Sequence, residues 1–211
     1  MAIYIIVTMA IGYLLGCFQT GYFIGKRNDI DIRDYGSGNA GATNVLRTLG
    51  KLPSFITFLG DALKGFLWVL LIKYYLGPTV FHLDAQQTGI VALLAGFAVV
   101  LGHNYPFQMG FKGGKGISTT AAVMCAFDVR LGICSFIIFA SIAFFTRYVS
   151  LASICLSIAL LAEMYIFTKN WIFVAITLLY TVSAVYRHRA NIGRLLSGTE
   201  SKIGQKVEIK K

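Results

Sequence analysis

Charge is scarce in this chain of 211 residues. Charged side chains make up 13% of it, where soluble domains carry about 25%, and that shortage excludes an ordinary water-soluble globule. Acids are rarer still, with nine Asp and Glu against nineteen Lys and Arg. So small a carboxylate supply suits phosphate-bearing anions better than metals. Cysteine adds no metal chemistry: Cys17, Cys125, Cys134 and Cys155 all fall in apolar segments without a CxxC or a Cys/His cluster. Neither a metal site nor a disulfide framework is indicated, and all four read as helix-packing residues. A Walker A loop is missing too. Lys115 would need glycine at position 109 and Ser or Thr at 116, where Met109 and Gly116 stand. No basic region or A-x-A cleavage site accompanies the apolar run that begins at Ala2, so the run reads as a retained helix. Neither an internal repeat nor an inverted pair of halves is visible, which counts against most transporter plans.

What is present is hydrophobic sequence. It accounts for 56% of residues, the mean hydropathy is +0.70, and several runs approach or exceed the roughly 17 to 25 residues that cross a bilayer. The expected fold is an all-α integral membrane protein, a seven-helix transmembrane bundle forming a single domain over 1–211 with no room for a second. The spans fall near 3–24, 53–75, 88–101, 117–127, 131–145, 150–167 and 171–186, with Gly77 and Pro78 closing the second and 117–127 unusually short. The net charge of +10 would suggest nucleic acid in a soluble protein, but here the basic residues lie mostly between spans. Lys26, Arg27, Arg33, Arg47, Lys51, Lys112, Lys115, Arg147, Arg187, Arg189, Arg194, Lys202, Lys206, Lys210 and Lys211 fall on one side. By the positive-inside rule that side is the cytoplasm, the N-terminus is outside and the C-terminus inside. A five-span version with the short segments re-entrant keeps the same ends.

Three polar constellations interrupt the apolar runs, and this topology gathers all three at the cytoplasmic face, where short helices and loops form a site. The first to weigh is GHNYPFQMGFKGGKGIST, 102–119. Gly110, Gly113, Gly114 and Gly116 permit positive φ and turn backbone N–H groups round a small anion, while Lys112 and Lys115 supply charge. His103 and Asn104 precede it, His103 either as an acid/base group or as a helix-end cap. The second, YGSGNAGATNVLRTLG at 35–50, contains a formal GxGxxG in Gly36, Gly38 and Gly41, but no βαβ unit surrounds it. It reads as a turn entering a short helix whose N-terminus faces an anion, with Arg47 along that helix. Asn39, Thr43 and Asn44 either bind the anion or satisfy the turn. In the third, YRHRANIGR at 186–194, His188 and Asn191 are three apart and share a helical face. Within the spans, Asp61 and Lys64 read as a structural pair, and Glu163 has no readable partner. Ser150 and Ser153 open the sixth span, where helix capping accounts for Ser150.

Together SGNAGATNVLRTLG, GHNYPFQMGFKGGKG and YRHRANIGRLLSG, with the linking LGDALKG and RYVSLAS, resemble the bacterial acyl-phosphate glycerol-3-phosphate acyltransferases, the PlsY family, along essentially the whole chain. The resemblance implies a multi-pass enzyme of the inner membrane that moves a fatty acyl group from acyl phosphate to the 1-hydroxyl of glycerol 3-phosphate. It implies membrane lipids as surroundings, no cofactor, no metal, no nucleic acid and no obligate protein partner. By motif position it marks Ser37, Arg47, Lys115, His188 and Asn191 as catalytic. Substrate binding falls to Asn39, Thr43, Asn44, His103, Asn104, Lys112, Gly113, Gly114, Gly116 and Ser153. One departure is Ala190, where the family commonly has Glu in YRHREN. An HxxxxD acyltransferase motif is also absent, since Gln87, Gln108 and Gly193 follow His82, His103 and His188 at that spacing. The expectation is therefore substrate-assisted chemistry, with the donor's phosphate as base. The rivals are a carrier or channel for an anionic phosphate metabolite and a non-catalytic lipid-binding scaffold.

Overall fold

The computed structural model describes residues 1–205, leaving Lys206, Lys210 and Lys211 of the basic tail outside the described residues. Those residues are all-helical apart from turns and loops. Large apolar side chains point outward along the helices, among them Ile3, Leu14, Phe55, Phe144 and Phe145. Such an outer surface belongs in lipid. Five segments are long and apolar enough to cross a bilayer: Ala2–Arg27, Lys51–Val80, Ala85–Met109, Val129–Thr146 and Val149–Thr168. A sixth is added if Trp171–Arg187 and Arg189–Leu196, bent by 56°, count as one. The expected short span is helical at Ile117–Phe127 but has only 11 residues. At about 16 Å it falls well short of the hydrocarbon thickness.

The first crossing is broken. Helix α1, Ala2–Cys17, ends where Phe18 and Gln19 turn extended, and α2, Thr20–Arg27, resumes. A break in lipid strands carbonyl groups that water would otherwise satisfy. Lys64 Nζ takes Gly16 O at 3.0 Å and Phe18 O at 2.6 Å, and the Gln19 amide also reaches Gly16 O. After α3, Ala42–Leu49, helix α4, Lys51–Leu71, runs without a stop into a π-helix at Ile72–Val80. Gly77 and Pro78 therefore do not close the second span as expected. The wider turn absorbs the proline, whose missing N–H would break an α-helix.

Helix α5, Ala85–Asn104, begins with a capping box between Asp84 and Gln87 and is the most buried of the long helices. It packs on α1 through small residues. A methyl group on Gly16 would strike Val99 O, and one on Gly102 would strike Tyr13 O, so the two backbones touch. The main core joins α4 and α5 to α6, Ile117–Phe127, α7, Val129–Thr146, α8, Val149–Thr168, and α9, Trp171–Arg187. Tyr180 is buried there, and its hydroxyl donates to Leu93 O, so a polar atom in the core has a partner. Helix α10, Arg189–Leu196, follows the bend at His188.

Candidate active site

The glycine-rich loop is built from two kinds of glycine. Gly110 at φ 63° and Gly116 at φ 77° take the left-handed conformation, and Gly116 starts α6 from it. Gly113 and Gly114 do not adopt positive φ, contrary to expectation; they are small because the loop is pressed against its neighbours. A methyl group on Gly113 would collide with His103 O, and one on Gly114 with the His103 ring. From the other side Arg187 donates to Gly113 O at 3.0 Å and to Gly114 O at 2.7 Å. Clamped in this way, the loop sends Lys115 into a cavity of about 270 Å³.

Lys115 Nζ donates to Asn191 Oδ1, and Asn191 Nδ2 donates to Glu200 Oε1 at 2.7 Å. Glu200 also accepts from Ser150 Oγ at 2.8 Å and, through Oε2, from Arg194 Nε at 2.7 Å. Burial works against the Glu200 charge, but these donors outweigh it and hold the carboxyl below its usual range. Burial pushes the Lys115 ammonium down to about 8, with Arg194, Arg187 and Arg47 adding repulsion that Glu200 partly offsets. Burial likewise lowers the Arg47 guanidinium from its ordinary value. These cations are short of counter-charge, which an anionic substrate would supply.

From the first motif, Ser37, Asn39, Thr43 and Arg47 line the same cavity. Asn44 lines it as well, but its side chain is engaged by the turn: Oδ1 accepts from Ser37 N at 2.9 Å and Nδ2 donates to Ile32 O and Tyr35 O. It shapes the loop that presents Ser37. Asn39 Oδ1 accepts from Gly41 N, and Arg47 Nη2 donates to Ser201 O at 3.2 Å. His188 and Asn191 meet at the cavity from the bend and from α10, with His188 Nδ1 2.8 Å from Ala184 O. Gly116, His103 and Ser153 are wall residues, and the Ser153 hydroxyl donates back to Val149 O. Four expected substrate-binding residues do not line the cavity. Lys112 is exposed, Gly113 and Gly114 are packed behind it, and Asn104 is buried with its amide on Ser183 Oγ.

Sequence reasoning missed Glu200 and misread Ser150. Ser150 caps nothing; its hydroxyl is on Glu200. The available signal was that Glu200 is the only acid between Arg187 and Gln205. From this polar end the cavity continues between α6, α7 and α8 along Ile117, Ala121, Phe139, Leu156, Phe136 and Gly132. Ser135, another wall residue there, donates to Glu163 Oε2 at 3.4 Å, so Glu163 has the partner that its sequence context did not reveal.

A polar, cationic chamber joined to an apolar arm fits a molecule with an anionic head and a long chain. A family model described as glycerol-3-phosphate acyltransferase matches residues 6–198. The chain belongs to that family. Relatives named glycerol-3-phosphate acyltransferase agree along the full length. One from Thermoanaerobacter sp. (strain X514) is 44% identical over 208 residues, covering 98% of this chain and 100% of its own. Another, from Clostridioides difficile (strain 630), is 44% identical over 210 residues, with coverage of 97% and 98%. Among solved structures, the glycerol 3-phosphate form of PlsY, an integral membrane glycerol 3-phosphate acyltransferase, superposes with a TM-score of 0.85 at 37% identity. It covers 95% of this chain and 96% of its own. The lysophosphatidic acid form gives 0.82 at 36%. In this member of the glycerol-3-phosphate acyltransferase family the matched span ends at residue 198, and just beyond it Glu200 completes the cavity wall while Ser201 O accepts from Arg47.

Proposed function

We propose that this chain transfers a fatty acyl group from acyl phosphate to the 1-hydroxyl of sn-glycerol 3-phosphate, giving lysophosphatidic acid and inorganic phosphate. The observation that carries the reading is the continuity of the cavity. Lys115, Arg47 and the polar groups of α10 line one end and α6–α8 side chains the other, so head group and chain are held in one piece. Lys115 and Arg47 neutralise the phosphates, with Thr43, Gly116 and Ser153 in the wall of the same cavity. His188 and Asn191 orient the acceptor, and Ser37 holds its place at the mouth. The attacking oxygen forms the ester bond as the carbonyl–phosphate bond breaks, and its proton passes to an oxygen of the departing phosphate. No protein base is needed, and the preorganised cations stabilise the charge that gathers on the leaving group.

On this reading the whole of 1–211 is a single membrane domain of the bacterial inner membrane, with the N-terminus outside, both the C-terminus and the site on the cytoplasmic side, and seven crossings, of which the 11-residue α6 is a short fourth one that needs its neighbours to complete the passage. Acyl phosphate is the donor, and no protein partner takes part. The test is direct: purified protein is given acyl phosphate with and without glycerol 3-phosphate. Phosphate release that strictly requires glycerol 3-phosphate and matches lysophosphatidic acid formed is the expected result. A carrier or a lipid-binding scaffold forms neither product.

A further inference from the structure

Behind the glycine-rich loop, two charged residues of α4 approach the same atom, Nδ1 of His103, and the distances rank them. Lys64 Nζ lies 2.9 Å from it, whereas Asp61 Oδ1 lies at 3.7 Å, beyond hydrogen-bonding range. An ammonium has protons to give and no lone pair. Nδ1 must therefore accept, and the single N–H of the neutral ring is on Nε2. The other two Lys64 donors serve Gly16 O and Phe18 O, so three donors meet three acceptors while Asp61, 3.5 Å away, balances the charge. On its other edge the ring lies over Gly114, where a methyl group would collide with Nε2, and His103 is a wall residue beside Lys115 and Gly116.

We propose that Lys64 is a positioning residue: by occupying His103 Nδ1 it locks the ring with its proton on Nε2 and so aims a neutral hydrogen-bond donor at the phosphate end of the cavity. The identity of the oxyanion that receives this donor rests on the acyltransferase reading; the tautomer does not. His188 is the counterpart. Its Nδ1 faces Ala184 O at 2.8 Å, so it carries the proton there and offers a bare Nε2. One cavity thus holds two histidines of opposite tautomer, one giving and one accepting a hydrogen bond.

With three histidines in the chain, nitrogen-15 NMR of the rings in detergent-solubilised protein can assign each, the exposed His82 serving as reference. His103 is expected as the Nε2–H form and His188 as the Nδ1–H form. In Lys64→Met the His103 proton is expected to redistribute to Nδ1, toward Asp61, and kcat to fall by up to about a hundredfold. Turnover supplies a second arm. His103→Gln keeps an amide donor near the Nε2 position but has no acceptor at the Nδ1 position that Lys64 holds, so it should retain more activity than His103→Phe. Adding Lys64→Met to His103→Gln should then cost a clearly smaller factor than it does in wild type, the remainder being the loss at Gly16 O, Phe18 O and Asp61, whereas a purely architectural lysine would cost the same factor in both backgrounds. A wild-type His103 protonated on Nδ1, an unchanged kcat in Lys64→Met, or equal losses in the two backgrounds would overturn the proposal. If Lys64→Met does not fold, the wild-type ring spectrum and the Gln–Phe comparison still decide it. Wild-type protein without acyl transfer would sink the acyltransferase reading and leave the tautomer to be read on its own.

Discussion

Lys115 is where local electrostatics set an observable. With the free-protein value pushed to about 8, the charged form prevails below that pH and is lost as pH rises through it. Because binding of phosphate favours the ammonium, the loss belongs to the free protein. The expected profile of kcat/KM therefore falls above about pH 8, while the kcat profile stays level further up. Lys115→Arg should remove the alkaline limb, and a limb surviving in that variant would assign it elsewhere. Lys115→Ala should lower kcat/KM about a hundredfold or more, by analogy with losing one preorganised donor. Glu200 acts through its neighbours. Glu200→Ala leaves Asn191 Nδ2 and Ser150 Oγ without their acceptor, at a cost of about 1–3 kcal/mol for each group left unsatisfied. A lowered unfolding temperature together with a raised KM for glycerol 3-phosphate is the expected pair of changes. A drop in temperature alone would make Glu200 purely architectural.

Among the helices, the α1–α5 contact is the least tolerant of change, because two backbones meet there through Gly16 and Gly102. Gly16→Val should destabilise the protein by about 1–3 kcal/mol or more through overpacking, measured as loss of monodisperse protein on heating in detergent. Gly193, with open space where a side chain would go, makes the control: Gly193→Ala should be tolerated. This scale also shows what could be read in advance. The long apolar runs gave the helices to within a few residues, since hydropathy and length decide them. The α1–α2 break was illegible because its stabilising partner, Lys64, comes from remote sequence, and the π-turn across Pro78 was illegible because Gly-Pro reads as a helix stop. In the site, Lys115, Arg47, His188 and Asn191 stood in dense polar motifs and reach one cavity. Gly113 and Gly114 sat in the same motif yet serve packing, because sequence does not distinguish a glycine needed for φ from one needed for room. Glu200 was hidden for the opposite reason, an acid among the basic residues that follow Arg187 whose meaning depends on a fold-back.

For the whole molecule, the orientation in the bilayer is the proposal most open to a simple check. Single cysteines in place of Gly36, Lys112 and Ser201, each in a background lacking the four native cysteines, are expected to resist an impermeant thiol reagent in intact cells and to react once the inner membrane is opened. Lys112 is the right probe of its loop because it is exposed, whereas neighbouring Gly113 is packed against His103 O. Labelling of any of the three in intact cells would reverse the arrangement. The order in which the wall of the cavity appears has its own consequence in time. Lys115 is translated well before Asn191 and Glu200, the residues that engage its ammonium directly or through one amide. At the usual pace of synthesis the interval between Lys115 and Glu200 is roughly 4 to 17 s. For that long the nascent chain carries an uncompensated cationic loop at the bilayer face, and the reaction chamber closes only when the ribosome has passed the tenth helix.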